Sequence, residues 1–375
     1  MIDGTMPFTI LDSGSILRTL ETGPAAVAAG PRCAVASDGR VVCSFMLQSK
    51  LGTNDFVPTL AVSNDGGIRW NIQGPVWPHL SGRFSIFCSI SAAPSGELFL
   101  YGSITPIDVP GESFWLDATQ GLKANQLFWA CSEDGGRSWT EPRPFALPLP
   151  GAAECPGPLC VTRSGRWLAC YAPYRTFDSA LEVKRNHVVV IRSDDRGATW
   201  RHTSMLSFGE PESGGAEAWV IQLADGRLLG ACWHTNLKGG DDYSNPFALS
   251  TDEGETWSQT VSTGIQGQST ALAALPDGRA LLAYNQRKHG QRGVWLATAR
   301  PTARDFSLES NQVVWRAEQA TQGGSGVAHT DWQDFAFGEP SITRLPDGNW
   351  LLALWCLQPS ARGICYVRLS QRTSQ

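Results

Sequence analysis

The sequence is poor in charge, and the charge it does carry is not basic. Charged residues make up 17% of the 375-residue chain, and 30 Lys+Arg against 35 Asp+Glu leave a formal net charge of −5. A nucleic-acid-binding domain needs a basic patch and a high pI, so we expect no nucleic-acid partner. No uncharged apolar run approaches the length that a membrane-spanning helix needs, and we expect no membrane partner.

A secretory signal is also missing from the first residues, MIDGTMPF, which have neither a basic nor an apolar region. We therefore expect a cytoplasmic location for the chain as written, and an extracellular or periplasmic one only if a leader has been removed. The ten cysteines are too sparse for a disulfide scaffold and include no Cys-x-x-Cys pair. They predict buried thiols. The histidines lack metal-ligand spacing, so neither a metal site nor a cofactor is expected.

Turn-forming and aromatic residues are abundant instead. The chain has 39 Gly, 23 Pro and 15 Trp. Many tight turns, many indole rings and few charges favour an all-β protein with an amphipathic or sugar-like ligand.

One hairpin pattern recurs six times. Each copy has two short apolar runs joined by an Asp-Gly or Ser-Gly turn, which is the strongest local signal for a β-hairpin. The glycines of these turns are Gly39, Gly96, Gly165, Gly226, Gly278 and Gly348.

A second motif, Ser-x-Asp-x-Gly-x-Thr-Trp, alternates with the hairpins. Its four copies contain Asp65, Asp134, Asp195 and Asp252. Such an Asp can accept backbone N–H groups within a tight turn, while Gly supplies a positive φ and Trp packs the turn onto a sheet. We therefore interpret the motif as scaffold and expect it to lie on the face away from any binding pocket.

Six hairpins about 60 residues apart, each with a second hairpin, predict six four-stranded sheets. We expect an all-β, six-bladed β-propeller of four-stranded antiparallel blades, with residues 1–375 forming a single domain. Propellers leave few exposed sheet edges. Segments near Phe8 and Ile364 are candidates to pair and close the last blade. A row of separate two-sheet sandwiches is the alternative, which the even repeat disfavours.

The alternation of the Asp motif with the hairpins resembles the Asp-box, or BNR, repeats of sialidases, over roughly residues 25–370. The resemblance implies a sialidase-like six-bladed propeller. It does not by itself imply sialidase activity, because the box belongs to the scaffold.

Sialidases of this kind hold the substrate carboxylate with three arginines, and the matching positions here are altered. At the first position the segment is Ala-Gly-Pro, with Arg32 displaced. The second has Lys238 and no arginine, and the third matches Arg292. This incomplete set is poorly suited to sialic acid.

The catalytic positions implied by the resemblance are rewritten as well. Glu339 stands where sialidases have their tyrosine nucleophile, and Gln222 stands where its glutamate partner is expected. Asp55 is a match for the aspartic acid/base.

Three glutamates precede the hairpins at similar spacings. Glu217 and Glu339 stand nine residues before Gly226 and Gly348, and Glu154 stands eleven before Gly165. Glycoside hydrolysis needs two carboxyl groups flanking the bond, and sialidase-like propellers that act on arabinan resemble this layout in using two glutamates. The other interpretation is that these carboxylates anchor backbone amides at strand starts.

We expect Glu217 and Glu339 to face each other across the funnel, with Arg292 reaching the same cavity. Glu154 and Asp55 are the reserve pair. Trp219, Trp233 and Trp332 are either sugar platforms or core. The insertion 317–337 either covers the pocket or is a plain loop, and 107–127 is the other long insertion. The candidate substrate-binding residues are Arg292, Arg32, Arg83, Arg175, Gln222, His234, Lys238 and Arg287.

These features predict a glycoside hydrolase of the sialidase-like superfamily, exo-acting on a carbohydrate other than ordinary sialic acid. Two alternatives stay open, namely a true exo-α-sialidase with a divergent site and a non-catalytic glycan- or partner-binding propeller. A convergent pair of carboxyl groups in a cleft would favour the enzyme.

Overall fold

Each of the six predicted Asp-Gly or Ser-Gly turns joins the two innermost strands of one antiparallel sheet in the computed structural model, which describes residues 7–324 and 329–372. All six turn glycines have positive φ, from 83° at Gly39 to 103° at Gly96. The innermost strand of each sheet contacts the neighbouring sheet all the way around the ring. The chain is a six-bladed β-propeller, as the repeats predict.

The strands of the first three blades follow in chain order. Strand β1 (Phe8–Arg18) belongs to the last blade. Blade 1 contains β2 (Val27–Val35), β3 (Val41–Gln48), β4 (Val57–Ser63) and β5 (Asn71–Pro75). Blade 2 contains β6 (Phe84–Ala92), β7 (Leu98–Pro106), an inserted hairpin of β8 (Trp115–Leu116) and β9 (Gly121–Leu122), then β10 (Gln126–Ser132) and β11 (Arg143–Phe145). Blade 3 contains β12 (Ala152–Glu154), β13 (Cys160–Val161), β14 (Trp167–Tyr174), β15 (His187–Ser193) and β16 (Arg201–Ser207).

The other three blades complete the ring. Blade 4 contains β17 (Ser213–Gln222), β18 (Leu228–Asn236), β19 (Pro246–Ser250) and β20 (Val261–Ser262). Blade 5 contains β21 (Gln268–Ala274), β22 (Ala280–Gln286), β23 (Gly293–Ala299) and β24 (Leu308–Arg316). Blade 6 contains β25 (Phe337–Arg344), β26 (Trp350–Leu357) and β27 (Arg362–Gln371). Within the described ranges, the helices are two 3₁₀ segments, Pro78–Leu80 and His329–Asp334, and none has the length and apolar character to cross a membrane.

The two ends of the described chain close the ring. Strand β1 pairs antiparallel with β27, from Phe8 opposite Gln371 to Arg18 opposite Gly363. Phe8 and Ile16 are buried in this junction. Because β1 covers the outer edge of β27, the last blade gains its fourth strand from the start of the chain. The predicted pairing of these segments is confirmed.

A bulge recurs at the same level of four innermost strands. The ladder shifts register at Gly30, Glu217, Ser269 and Glu339, each nine residues before its hairpin glycine. Their φ values are 60°, 48°, 48° and 47°. Positive φ costs a non-glycine residue of order 1–3 kcal/mol and concentrates at functional sites. In blade 3 the innermost strand is instead interrupted between β12 and β13, where Pro156 and Pro158 provide no N–H for the ladder.

The Asp boxes form hydrogen-bonded turns at the other end of the blades. In the second box, Ser132 Oγ donates to Asp134 Oδ1 at 2.8 Å, and the same oxygen accepts from the N–H groups of Arg137 and Ser138, both at 2.9 Å. The Asp-Gly turn of the preceding blade contacts this box, since Arg40 Nη2 donates to Gly135 O at 2.8 Å. The boxes therefore lie beside the hairpin turns, away from the bulges, as expected.

The cysteines also behave as the sequence predicts. All ten are free thiols, eight of them buried in the sheets. Their role is packing.

Candidate active site

A cavity of about 210 Å³ lies where the bulged ends of the innermost strands meet. Phe87, Pro156, Glu217, Ser269 and Glu339 line it. Each stands nine residues before the hairpin glycine of its own blade, so five blades contribute equivalent positions to one wall. In the remaining blade Ala29, next to Gly30, takes this place.

Glu217 is held at the centre of this cluster by two neighbours. Its Oε1 accepts a hydrogen bond from Ser269 Oγ at 2.7 Å, and its backbone N–H donates to the Glu154 carboxylate at 2.9 and 3.1 Å. Its Oε2 is buried and, among the described residues, has no hydrogen-bond partner. Burial, reinforced by the negative charge of Glu339, raises the pKa of Glu217 to about 7.

Glu339 occupies the same bulge position in blade 6. Its Oε2 accepts from the N–H of Gly30 at 3.0 Å, and its backbone carbonyl accepts from Arg32 Nη1 at 3.1 Å. Burial raises the pKa of Glu339, whereas the positive charge of Arg32, the Gly30 N–H and Arg287 act in the opposite direction.

Glu154 completes the group of carboxyl groups. It lines the cavity and accepts the N–H of Glu217 with both oxygens. Burial and the charge of Glu217 raise its pKa well above the ordinary value. The three predicted glutamates are thus brought together.

Two buried arginines balance part of this negative charge. Arg32, 1% exposed, donates from Nε to Pro156 O at 3.1 Å and lies over the ring of Trp219. Arg287 lines the cavity and donates from Nε to Phe337 O at 3.1 Å, with its guanidinium 3.8 Å from the centre of the Phe335 ring. Both arginines lower the pKa of Glu217 against the effect of burial.

The expectation that Arg292 reaches this cavity is wrong. Strand β22 runs from the hairpin turn to the cavity end, so the residue directly after it, Arg287, enters the site. Arg292 lies beyond the following turn, where it is exposed beside Ala317 and Glu318 in a separate shallow depression.

Three other basic candidates lie on the surface and do not line the cavity. Arg83, Arg175 and Lys238 are exposed. Arg83 packs over its neighbour Phe84. Arg83 directly precedes β6 and Arg175 directly follows β14, but their side chains face solvent, so a position near a strand end did not bring them into the cavity.

The last three candidates are engaged elsewhere. The Asp55 carboxylate accepts from the N–H of Ser49 at 3.2 Å, and the residues beside Asp55, not Asp55 itself, line the cavity. Gln222 lies at the hairpin end of β17, where its Nε2 donates to Gly226 O. His234 is sandwiched between Phe208 and Tyr243, and burial lowers its pKa to about 4. None of the three is placed to contact a ligand in this cavity.

An aromatic belt around the cavity is the feature that the sequence did not predict as a whole. Both long insertions supply it: Phe114 and Trp115 come from 107–127, and Trp332 comes from 317–337. Phe114 and Trp332 stack with ring centres 5.2 Å apart, and Trp115 meets Trp332 edge-on at 6.1 Å. The expectation that the second insertion covers the pocket is therefore supported by Trp332. Residues 325–328, which that expectation includes, lie outside the described residues.

The tryptophan candidates divide between the belt and the core. Trp233 and Trp332 line the cavity, whereas Trp219 packs between blades. Ser269, which the sequence reading did not select, obeys the same nine-residue spacing as Glu217 and Glu339. That spacing was the signal that would have found it.

The charged groups of the cavity can support acid–base chemistry. Within the described ranges no group of His, Cys, Asp or Glu side chains has the arrangement of a metal site. What the cavity offers is a carboxyl group with a raised pKa, a second carboxyl group whose ionised form is favoured by an N–H group and two arginines, and largely apolar walls.

Comparison with known proteins identifies related sequences. The family model described as a BNR repeat-like domain matches residues 87–349. A sialidase of Micromonospora viridifaciens is 24% identical over 233 residues, covering 56% of this chain and 34% of that protein. Sialidase-3 of Bos taurus is 27% identical over 157 residues, covering 38% of this chain and 35% of that protein. The matched region thus spans about a third of the length of each curated relative.

Solved structures share the fold over nearly the whole chain. A protein of unknown function from Dyadobacter fermentans superposes with a TM-score of 0.76 at 20% identity, covering 98% of this chain and 100% of the other. The NanB sialidase of Streptococcus pneumoniae gives 0.65 at 16%, covering 97% and 71%. An α-L-arabinanase of Penicillium chrysogenum gives 0.60 at 16%, covering 97% and 98%. At these identities the likeness shows the fold, which is that of the sialidase-like propellers.

Proposed function

The chain belongs to the BNR repeat-like domain family, and from that premise we propose that it is a glycoside hydrolase that uses Glu217 and Glu339 as its catalytic carboxyl groups. The observation that carries the proposal is their shared position. Both occupy a positive-φ bulge of an innermost strand, in blades 4 and 6, and both line the same cavity. Strained backbone and paired buried carboxyls with shifted pKa values are typical of catalytic sites.

Glu217 is the proposed general acid. A general acid has to be protonated near the working pH, and a pKa of about 7 meets that need. Its Oε2 has no partner among the described residues, so this oxygen is free to carry a proton to the glycosidic oxygen of a substrate.

Glu339 is the proposed nucleophile or base. The Gly30 N–H and the charges of Arg32 and Arg287 favour its ionised form. The environments of the two glutamates thus separate their proton affinities, which is how one residue type fills both roles in glycosidases.

Glu154 is proposed to hold the bulge of Glu217 in place. Its carboxyl accepts the Glu217 N–H with both oxygens, so it contacts the backbone of the acid. This role agrees with one interpretation from the sequence, that a glutamate here anchors a strand.

An uncharged sugar is the proposed substrate. A carboxylate such as that of sialic acid needs accessible cations, and Arg83, Arg175, Lys238 and Arg292 all lie off the cavity. Lys123 lines the wall but is already ion-paired with Asp108 at 2.8 Å and with Glu112.

The test is hydrolysis of nitrophenyl glycosides by the wild type and by the Glu217→Gln and Glu339→Gln variants. We expect each variant to lose about 10²–10⁴-fold in kcat/KM, the usual contribution of an acid or base. Binding should survive, because an amide keeps the shape of the carboxyl group. Binding can be followed by calorimetry with the released sugar.

Glu133→Gln, which alters an exposed carboxylate in the second Asp box, serves as the matched control and should leave kcat/KM unchanged. Full activity in both active-site variants would refute the assignment. Sugar binding with no turnover by the wild type on any glycoside would instead identify the chain as a binding propeller.

A further inference from the structure

The walls of the cavity are more apolar than recognition of a hydroxyl-rich sugar requires. Its aromatic belt, defined by the rings that line the cavity, is connected by ring contacts. Phe56 meets Phe87 at 5.5 Å and Phe114 at 5.4 Å, and the contacts continue from Phe114 through Trp332 to Trp115. The belt comprises Phe56, Phe87, Phe114, Trp115, Tyr174, Trp233, Trp332, Phe335 and Trp355.

The polar side chains among these rings are largely committed to the protein itself. Asn125 exchanges two hydrogen bonds with the backbone of Ala153, both at 2.9 Å. Ser85 Oγ accepts from the N–H of Phe56 at 3.0 Å. Gln48 Nε2 donates to Thr53 O and Asn54 Nδ2 to Pro106 O, whereas Gln48 Oε1 and Asn54 Oδ1 have no hydrogen-bond partner among the described residues. A sugar hydroxyl placed against the rings, away from these two amide oxygens, would lose water and find few groups to replace it, which disfavours binding.

The charges of the cavity disfavour an acidic sugar as well. Three carboxyl groups, those of Glu154, Glu217 and Glu339, line the cavity. Of the two lining cations, Lys123 is ion-paired, and Arg287 donates to Phe337 O and to Gln268 Oε1. A carboxylate entering this space would face like charge without a free cation.

We propose that the site selects a terminal 6-deoxy sugar, in which a methyl group replaces the hydroxymethyl group. This inference rests on the proposed hydrolase function and names the substrate class for the same site. The methyl group packs against three rings of the belt, those of Phe114, Trp115 and Trp332. The anomeric centre and its glycosidic oxygen lie against Glu217 and Glu339. Hydrolysis then cleaves the bond between the anomeric carbon and the leaving oxygen. Glu217 gives its proton to that oxygen, water supplies the hydroxyl of the released sugar, and the remaining proton of that water restores protonated Glu217.

The test uses nitrophenyl glycosides in matched series, so that the leaving group is constant and only the substituent on carbon 5 changes. One series is β-D-fucoside, β-D-galactoside and β-D-galacturonide. A second is α-L-rhamnoside against α-L-mannoside, and a third α-L-fucoside against α-L-galactoside. In the series with the correct stereochemistry we expect the 6-deoxy glycoside to exceed its hydroxylated partner by about tenfold or more in kcat/KM, the discrimination typical of an apolar pocket. The uronide should not react.

Belt variants show whether the preference arises where we place it. Phe114→Ala and Trp332→Ala should reduce the ratio of 6-deoxy to hydroxylated substrate towards one. Phe177→Ala, which removes an exposed ring that does not line the cavity, should leave the ratio unchanged.

Binding separates the failure of this inference from the failure of the hydrolase proposal. The free sugars of the three series are titrated against the Glu217→Gln variant by calorimetry, which requires no turnover. Tighter binding of the 6-deoxy sugars without hydrolysis by the wild type would support the selectivity and refute the hydrolase. Equal or better binding or turnover of the hydroxylated or acidic sugars, or no binding of any 6-deoxy sugar, would overturn the inference.

Discussion

Three glutamates in one cavity show how neighbouring atoms set the proton affinity of a residue. Glu154 and Glu217 have raised pKa values because burial disfavours their charged forms; the charge of Glu217 raises the pKa of Glu154 further, and the charge of Glu339 raises that of Glu217. Glu339 is buried too, but Arg32 and the Gly30 N–H oppose the effect. Desolvation is therefore the largest influence on the pKa of each glutamate, and the neighbouring hydrogen-bond donors and cations decide which one ionises first as pH rises.

Ser269 tunes the proposed acid, and its removal has a defined effect on pH dependence. Its hydroxyl donates to Glu217 Oε1 and lowers the pKa of that group. In Ser269→Ala the pKa of Glu217 should rise, so the loss of activity above about pH 7 should move to higher pH. The pH profile of kcat/KM checks this.

The matched control is Ser341→Ala. Ser341 is also buried, in blade 6, but its hydroxyl has no hydrogen-bond partner in the described part of the chain. This variant should leave the basic limb of the profile in place. An unchanged profile in Ser269→Ala would show that the serine does not act on Glu217.

Glu217 should also cost the protein stability at neutral pH. Because the folded carboxyl binds its proton more tightly than the unfolded one, whose pKa is near 4.5, the free energy of unfolding should fall as pH rises from about 4.5 to about 7 and then level off. Glu217→Gln lacks this titration. Its stability relative to wild type should therefore increase across that window.

Chemical denaturation of both proteins at pH 5 and pH 8 measures this difference. Glu133→Gln removes an exposed carboxyl and keeps Glu217, so its stability relative to wild type should be the same at both pH values. A stability difference that stays constant between the two pH values would mean that Glu217 is not buried as the structure has it.

At the scale of the element, the bulged innermost strand explains both the success and the failure of sequence-based prediction. Glu217 and Glu339 could be found because hairpin, strand and bulge repeat with fixed spacing in each blade. Arg292 was misplaced because its position depends on a turn outside that repeat. The aromatic belt was missed as a unit because Phe114 and Trp332 come from insertions far apart in sequence, and only the closed ring brings them together.

The Asp-box turn is the second recurring element, and Asp134 tests its role as scaffold. Its carboxylate satisfies two backbone N–H groups and two hydroxyls. Asp134→Ala should lower the free energy of unfolding by about 1–2 kcal/mol, because these donors lose their partner but remain partly accessible to water. Catalytic or binding constants should not change.

Denaturant titration measures the stability, and Glu133→Ala, the exposed neighbouring residue, is the control. Lost ligand binding with unchanged stability would place this box in the functional site rather than in the scaffold.

At the scale of the whole molecule, the ring closes through blade 6, where β1 completes the sheet at the outer edge and β25 packs against β2 of blade 1 at the inner edge. At the inner contact, the N–H of Gly30 in blade 1 donates to Glu339 Oε2 in blade 6. The sequence repeats predict the ring, because radial closure is a solution that buries repeated sheet edges. The apolar runs near Phe8 and Ile364 indicate which segments pair to close the ring.

Strand β1 offers a matched pair for testing the closure. Ile16 is 5% exposed and Ile10 is 52% exposed. Ile16→Ala should lower the free energy of unfolding by about 2–4 kcal/mol because it leaves a cavity in the junction. Ile10→Ala should change it by less than about 0.5 kcal/mol. Equal effects in urea titrations would mean that β1 is not packed against the rest of blade 6 through Ile16.

The most direct test of the central claim, that Glu217 is the acid and Glu339 the nucleophile or base, is the dependence of kcat/KM on the leaving group. A dinitrophenolate leaves without a proton, whereas a methoxide needs one. We expect Glu217→Gln to keep most activity on a dinitrophenyl glycoside, to lose about 10²–10⁴-fold on the methyl glycoside, and to lose the decline above about pH 7. Glu339→Gln should lose activity on both substrates. Equal losses of Glu217→Gln on the two substrates would contradict the assignment.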